Sequence, residues 1–189
     1  MARHRTNINE PRHAHELTFS CYHGYPFLKA ERTCAWLAES IRAARTSVSF
    51  DLWAYVFMPN HVHLIVWPRN RQYDIAQIRK AIKAPVARTA IEWMEQHSPE
   101  WLPRITRQRG QSSERLFWQS GGGYDRNITS SEPLERMIDY IHANPVRKQL
   151  AERPGDWKWS SAAWFERQAT IPLAVDPISK DWMSDVGTT

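Results

Sequence analysis

The sequence predicts an α+β fold: a ferredoxin-like antiparallel sheet in the order βαββαβ, with helices on one face and an extra C-terminal helix. Three observations predict it. Residues 16–22, 49–58 and 61–67 read as strands, by alternation or by continuous apolar runs. Residues 31–45 and 74–97 repeat their apolar positions at helical spacing. Short strand material at 116–119 and 124–128 closes the order, and no internal repeat competes with it.

The 189 residues suit one domain. Residues 1–15 read as a basic, histidine-rich arm in which His4, His13 and His15 are expected to be solvated. Residues 16–167 form the single domain, and 168–189 an irregular tail. The first strand ends at the turn His23-Gly24-Tyr25-Pro26. The first helix buries Trp36, Leu37 and Ile41. Residues 50–57 are apolar on both faces, which predicts a central strand. Pro59-Asn60 breaks that run, and 61–67 return as its hairpin partner or as one bent element. Pro85 is expected to break or kink the second helix, whose outer side carries Arg79, Lys80, Lys83 and Arg88. Residues 98–113 read as a polar, basic connection. Ser130 should cap a helix with Pro133 in its first turn, Leu134, Met137, Ile138 and Ile141 on its buried stripe, and a stop near Asn144 before Pro145.

Composition narrows function. No run of 18 apolar residues exists, so no membrane-spanning helix is expected, and the N-terminus lacks the apolar stretch of a signal peptide. A cytoplasmic location is expected, with Cys21 and Cys34 as free thiols rather than one disulfide. A net charge of +5 favours polyanion partners, above all nucleic acid. Ten tryptophans exceed ordinary core needs, and aromatic surface beside basic residues is one way to hold single strands.

The chemistry starts at Met58-Pro59-Asn60-His61-Val62-His63. Residues i and i+2 of a strand share a face, so His61 and His63 project together, away from Val62, Leu64 and Val66. On the capped helix, Tyr140 and Asn144 are one turn apart. Two imidazoles and an amide oxygen half-fill an octahedral shell suited to Mg²⁺ or Mn²⁺. A bland reading stands beside this one: two half-exposed histidines, a tyrosine at the core rim and a polar residue ending a helix.

Met58–His63 resembles the HUH signature of single-strand DNA endonucleases. Met137-Ile138-Asp139-Tyr140-Ile141-His142-Ala143-Asn144-Pro145-Val146-Arg147 resembles the catalytic-tyrosine helix of the REP-associated tyrosine transposases. Phe117-Trp118-Gln119, Tyr124-Asp125-Arg126 and Asp156-Trp157-Lys158-Trp159-Ser160-Ser161 resemble that family too. The resemblance covers about residues 16–165, and two motifs in order are more specific than one. It implies that His61, His63 and Asn144 ligate the metal and that Tyr140 attacks a phosphate of single-stranded, hairpin-bearing DNA. The product would be a 5′-phosphotyrosine and a free 3′-OH. Tyr124 is the rival nucleophile, and His142, on another helix face, is expected to be structural. Arg104, Arg107, Arg109 and Arg115, together with Arg126, Arg136 and Arg147 around the site, are candidate DNA contacts, although a charge run serves equally as a solvated face. A non-catalytic hairpin-binding relative and a water-using phosphodiesterase are the alternatives. A homodimer stays open, because related transposases occur as exchanged dimers and as monomers.

Overall fold

The computed structural model describes residues 8–180 and 182; His4 and the first part of the basic arm lie outside them. In chain order the elements are β1 (Ala14–Ser20), α1 (Glu31–Ser47), β2 (Phe50–Met58), β3 (His61–Pro68), α2 (Ile75–His97), α3 (Leu102–Ile105), β4 (Thr106–Arg109), β5 (Ser112–Arg115), β6 (Tyr124–Ile128), α4 (Ser131–His142), α5 (Asn144–Arg147) and α6 (Ala162–Arg167). Four strands make an antiparallel sheet in the order β2-β3-β1-β6, the ferredoxin-like arrangement expected. β4 and β5 pair separately as a two-stranded ribbon.

Strand alternation divides the core in two. Leu17, Phe19, Val62, Leu64 and Val66 pack beneath α1 and α2, against Leu37, Ile41, Ile78 and Ile82. Ala14, Val56, Met58, Ile65 and Ile128 face the other way and are covered by Leu134, Ile138 and Ile141 of α4. The tyrosine-bearing helix therefore lies on the face opposite α1 and α2, which is the face of His63.

Several elements differ from the sequence reading. β2 is an edge strand rather than a central one. Its apolarity on both faces survives because later chain covers its edge: Phe57 N donates to Trp159 O at 2.8 Å, Tyr55 N to Ser161 Oγ at 2.9 Å, and Asp176 N to Leu52 O at 2.8 Å. Leu173, in the otherwise irregular tail, is fully buried in the core. α2 runs unbroken through Pro85. Proline leaves the carbonyls of the preceding turn short of a donor, and Ser40 Oγ of α1 donates there, to Ile82 O at 2.7 Å and Ala81 O at 3.4 Å. Asp74 caps that helix through Ala76 N at 2.9 Å. Ser130 stands at the N-cap of α4, but its hydroxyl makes no cap bond.

Residues 98–113, expected as a loose connection, fold into a 3-10 turn, α3 and most of the β4–β5 ribbon. Residues 116–119 do not form a strand of their own. Phe117 and Trp118 are buried, and the segment extends β1 through Tyr22 N to Phe117 O at 2.9 Å and a bridge between Cys21 and Trp118. β1 begins at Ala14, two residues before the expected arm boundary strand, and His15 is not solvated. It is fully buried, with Nδ1 2.8 Å from Asp125 Oδ1 and Nε2 2.7 Å from Tyr73 Oη. Both cysteines are free and buried, and burial pushes each thiol up to about 12. Among the described residues no helix is long and apolar enough to cross a membrane.

Candidate metal and tyrosine site

The site is built on the middle of the sheet. β3 pairs with β1 so that His63 lies opposite Thr18 and His61 opposite Ser20. β6 adds Tyr124 opposite Thr18 and Arg126 opposite Glu16. Paired residues share a face, so Glu16, Thr18, Tyr124 and Arg126 join the histidines on the α4 side.

Each imidazole is held at one nitrogen. His63 Nδ1 lies 3.1 Å from Glu16 Oε1 and 2.9 Å from Thr18 Oγ1, and Thr18 itself donates to Glu16 at 2.5 Å. A carboxylate partner makes Nδ1 the protonated nitrogen and leaves Nε2 with its lone pair. His61 Nδ1 donates to Asn60 Oδ1 at 2.7 Å, with the same result. Burial, together with the neighbouring His63 and Lys148, lowers His61 to about 4, so its ring is neutral near pH 7. The two rings stand nearly perpendicular with centroids 5.0 Å apart.

Asn144 opens α5 just past the end of α4 and is 9% exposed. Its Nδ2 donates to Tyr140 O at 3.3 Å and Ile141 O at 3.2 Å. Because both partners are acceptors, Oδ1 is the amide atom left to receive a donor or a cation. Imidazole nitrogens and an amide oxygen are donor types that a hard divalent ion accepts when other oxygens complete its shell. Among the described residues no group of three histidine, cysteine or acidic side chains is clustered to bind a metal, so an all-anionic cage is not built here.

Tyr140 is 48% exposed. The Arg147 guanidinium sits 4.6 Å from its ring centroid and donates to its carbonyl at 3.3 Å. Lys148, directly after Arg147, is among the charges that lower His61. Among the described residues no hydrogen bond joins Tyr140 to either imidazole. His142 points inward instead, is 6% exposed, and meets Ser161 Oγ at 2.7 Å. Burial lowers it to about 4.

The arginines divide into four groups. Arg107 pairs with Glu114 at 2.5 Å, Arg109 reaches the same carboxylate at 3.4 Å, and Arg115 pairs with Glu95 of α2, so each ribbon arginine has an acidic partner. Arg104 lies over Trp101 at 5.0 Å. Arg136 pairs with Glu132 one turn back, both exposed. Arg126, exposed on β6, shares the histidine face, and Arg147 lies over the Tyr140 ring. Sequence reading missed Glu16, Thr18 and Asn60. Asn60 adjoins His61 in the chain and was visible; Glu16 carried no local signal.

This arrangement defines an α+β domain with a His-x-His strand on one sheet face and a tyrosine helix packed over the same face. The chain is similar to the REP-associated tyrosine transposases. It is 25% identical over 143 residues to a putative REP-associated tyrosine transposase of Haemophilus influenzae, covering 69% of this chain and 73% of that protein. Its fold matches, over the whole of both chains, a REP-associated tyrosine transposase solved in complex with a REP hairpin, with a TM-score of 0.68 at 17% identity. A putative transposase from Deinococcus radiodurans overlaps 76% of this chain and 97% of its own, with a TM-score of 0.45 at 20% identity, too low to carry an argument. No family model matches the chain.

Proposed function

We propose that the protein is a metal-dependent transposase-type strand transferase, acting in the cytoplasm on single-stranded, hairpin-bearing DNA. The observation that carries this reading is the pair of imidazoles locked at Nδ1 by Asn60, Glu16 and Thr18, with both Nε2 atoms left free on the face that α4 covers. A divalent ion, Mg²⁺ or Mn²⁺, held by His61, His63 and Asn144 would supply Lewis-acid polarisation of a phosphate oxygen. Tyr140 is the nucleophile. Its phenolic oxygen gives up its proton to solvent and forms a bond to phosphorus, the bond to the 3′-oxygen breaks, and that oxygen takes a proton from solvent to leave as a 3′-OH. Arg147, over the Tyr140 ring, supplies a cation for the phosphate's charge. The phosphoester is conserved in the link, so the 3′-OH can reverse the step and join strands without ATP.

The solved relative's hairpin complex and the curated relative's name support hairpin DNA as the substrate. The test is a denaturing gel of the full chain incubated with labelled hairpin DNA and Mn²⁺. A covalent adduct that disappears in Tyr140→Phe is expected. Cleavage that survives Tyr140→Phe would move the chemistry to Tyr124 or to water. Tight binding without cleavage under either metal would leave a hairpin-binding protein.

A further inference from the structure

A groove of about 450 Å³ lies between α2 and the glycine loop that precedes β6. Arg79, Lys80 and Lys83 line it with Trp118, Gly121, Gly122 and three alanines, and no carboxylate is among the lining residues. Arg79 Nη1 lies 3.8 Å from Asp125, whose other oxygen engages His15 at 2.8 Å. Burial and the neighbouring Arg79 lower Lys83 to about 8. Its ammonium finds only the Gly121 carbonyl, at 3.5 Å, and the face of Phe19 at 5.4 Å. A groove lined by three cations and no carboxylate is stabilised by an anion arriving in it.

The glycine loop packs directly on the Arg79 guanidinium. A Cβ on Gly122 would stand 2.9 Å from Arg79 Nη2, so the loop lies bare against the guanidinium. Trp118 Nε1 donates to Lys83 O at 2.9 Å and fixes the lysine's stretch of helix. The loop then runs straight into Tyr124 and Arg126, which share the sheet face of Glu16 and His63. A strand lying in the groove continues over the β6 edge onto the site.

We infer that this groove is a DNA-backbone contact, in which Lys80, Lys83 and Arg79 hold a phosphodiester of the strand entering the His61–His63 face. The inference rests on DNA being the substrate, as proposed above. None of these residues belongs to the ribbon arginines or to the tyrosine helix, so its failure is separable from that of the strand-transfer reading.

The experiment is fluorescence anisotropy of the full chain with a labelled hairpin carrying a single-stranded extension, over a salt series. The double variant Lys80→Gln/Lys83→Gln should weaken binding about tenfold and lower the slope of log affinity against log salt by about 2. Lys83→Arg should bind like the parent. Lys80→Glu, at an exposed position, should weaken binding on its own, which keeps the test decisive if the double variant melts early. Adduct formation at saturating DNA should persist in all of them. Parental affinity and salt slope in both charge-removing variants overturn the inference and leave the transferase reading intact. So does a rise in melting temperature with inorganic phosphate, at matched ionic strength, that is lost in the double variant while DNA affinity is unchanged. A parent protein that binds no DNA ends both.

Discussion

His63 and Glu16, 47 residues apart in the chain, meet across the β1–β3 ladder with Nδ1 and Oε1 3.1 Å apart. Glu16 is 3% exposed, so this carboxylate is buried for a partner rather than for solvent. A carboxylate behind a ligating imidazole fixes the tautomer and raises the basicity of the free nitrogen. Glu16→Gln keeps the shape and removes the charge. Mn²⁺ affinity should fall about 10- to 100-fold in a calorimetric titration, with the circular dichroism spectrum unchanged. Undiminished affinity would take Glu16 out of the metal half of the site.

Tyr140 is half in solvent and buries little on folding. Tyr140→Phe should therefore shift unfolding free energy by no more than about 0.5 kcal/mol while abolishing the covalent adduct. Arg147→Ala removes both the cation over the ring and the bond to the Tyr140 carbonyl. Adduct formation should slow by about tenfold, as expected for the loss of one charge-assisted contact. An unchanged single-turnover rate would show that Arg147 serves the helix end alone.

His142 and His61 are both held neutral, each lowered to about 4. An unfolded histidine takes a proton below about 6.5, so between the two values the unfolded chain binds more protons than the folded one. The histidine contribution should therefore be level near pH 7 and fall as pH drops from 6.5 toward 4. Urea midpoints at pH 7 and pH 5 test this. His142→Asn should be less stable at pH 7 yet show a shallower loss between the two. A parental slope in that variant would assign the loss to other groups.

Gly123 and Gly110 both have positive φ, +73° and +59°, but their surroundings differ. A Cβ on Gly123 would fall 2.2 Å from Thr18 O, whereas one on Gly110 meets nothing within 4 Å. Gly110→Ala should cost about 1 kcal/mol, the price of the left-handed conformation alone. Gly123→Ala should cost clearly more in a denaturant melt and should loosen Thr18, the hydrogen-bond partner of His63. Equal losses in the two variants would contradict the close approach.

The parts of the site that sequence exposed are those with short-range geometry. His61 and His63 are two residues apart on a strand, and Tyr140 and Asn144 one helical turn apart, so period alone paired them. Glu16 was invisible because its partner is chosen by strand register, which is a tertiary property. The same reason misled the reading of β2: its two apolar faces suggested neighbours on both sides, but one neighbour is the segment around Trp159 and Ser161 rather than a strand. Pro85 was read by the local rule for proline, and the Ser40 hydroxyl that tolerates it belongs to another helix. His15 was assigned to solvent because chain termini usually are, yet Asp125 and Tyr73 wait for it inside.

The cover on β2 also sets an order of events. Tyr55 and Phe57 leave the ribosome a hundred residues before Trp159 and Ser161, the groups that close their edge. During synthesis the strand's unpaired amides are open to any other extended chain. Completion of the sheet thus depends on contacts of long sequence separation, which slows folding, and the nascent protein is most vulnerable to aggregation in the interval before residues 157–161 arrive.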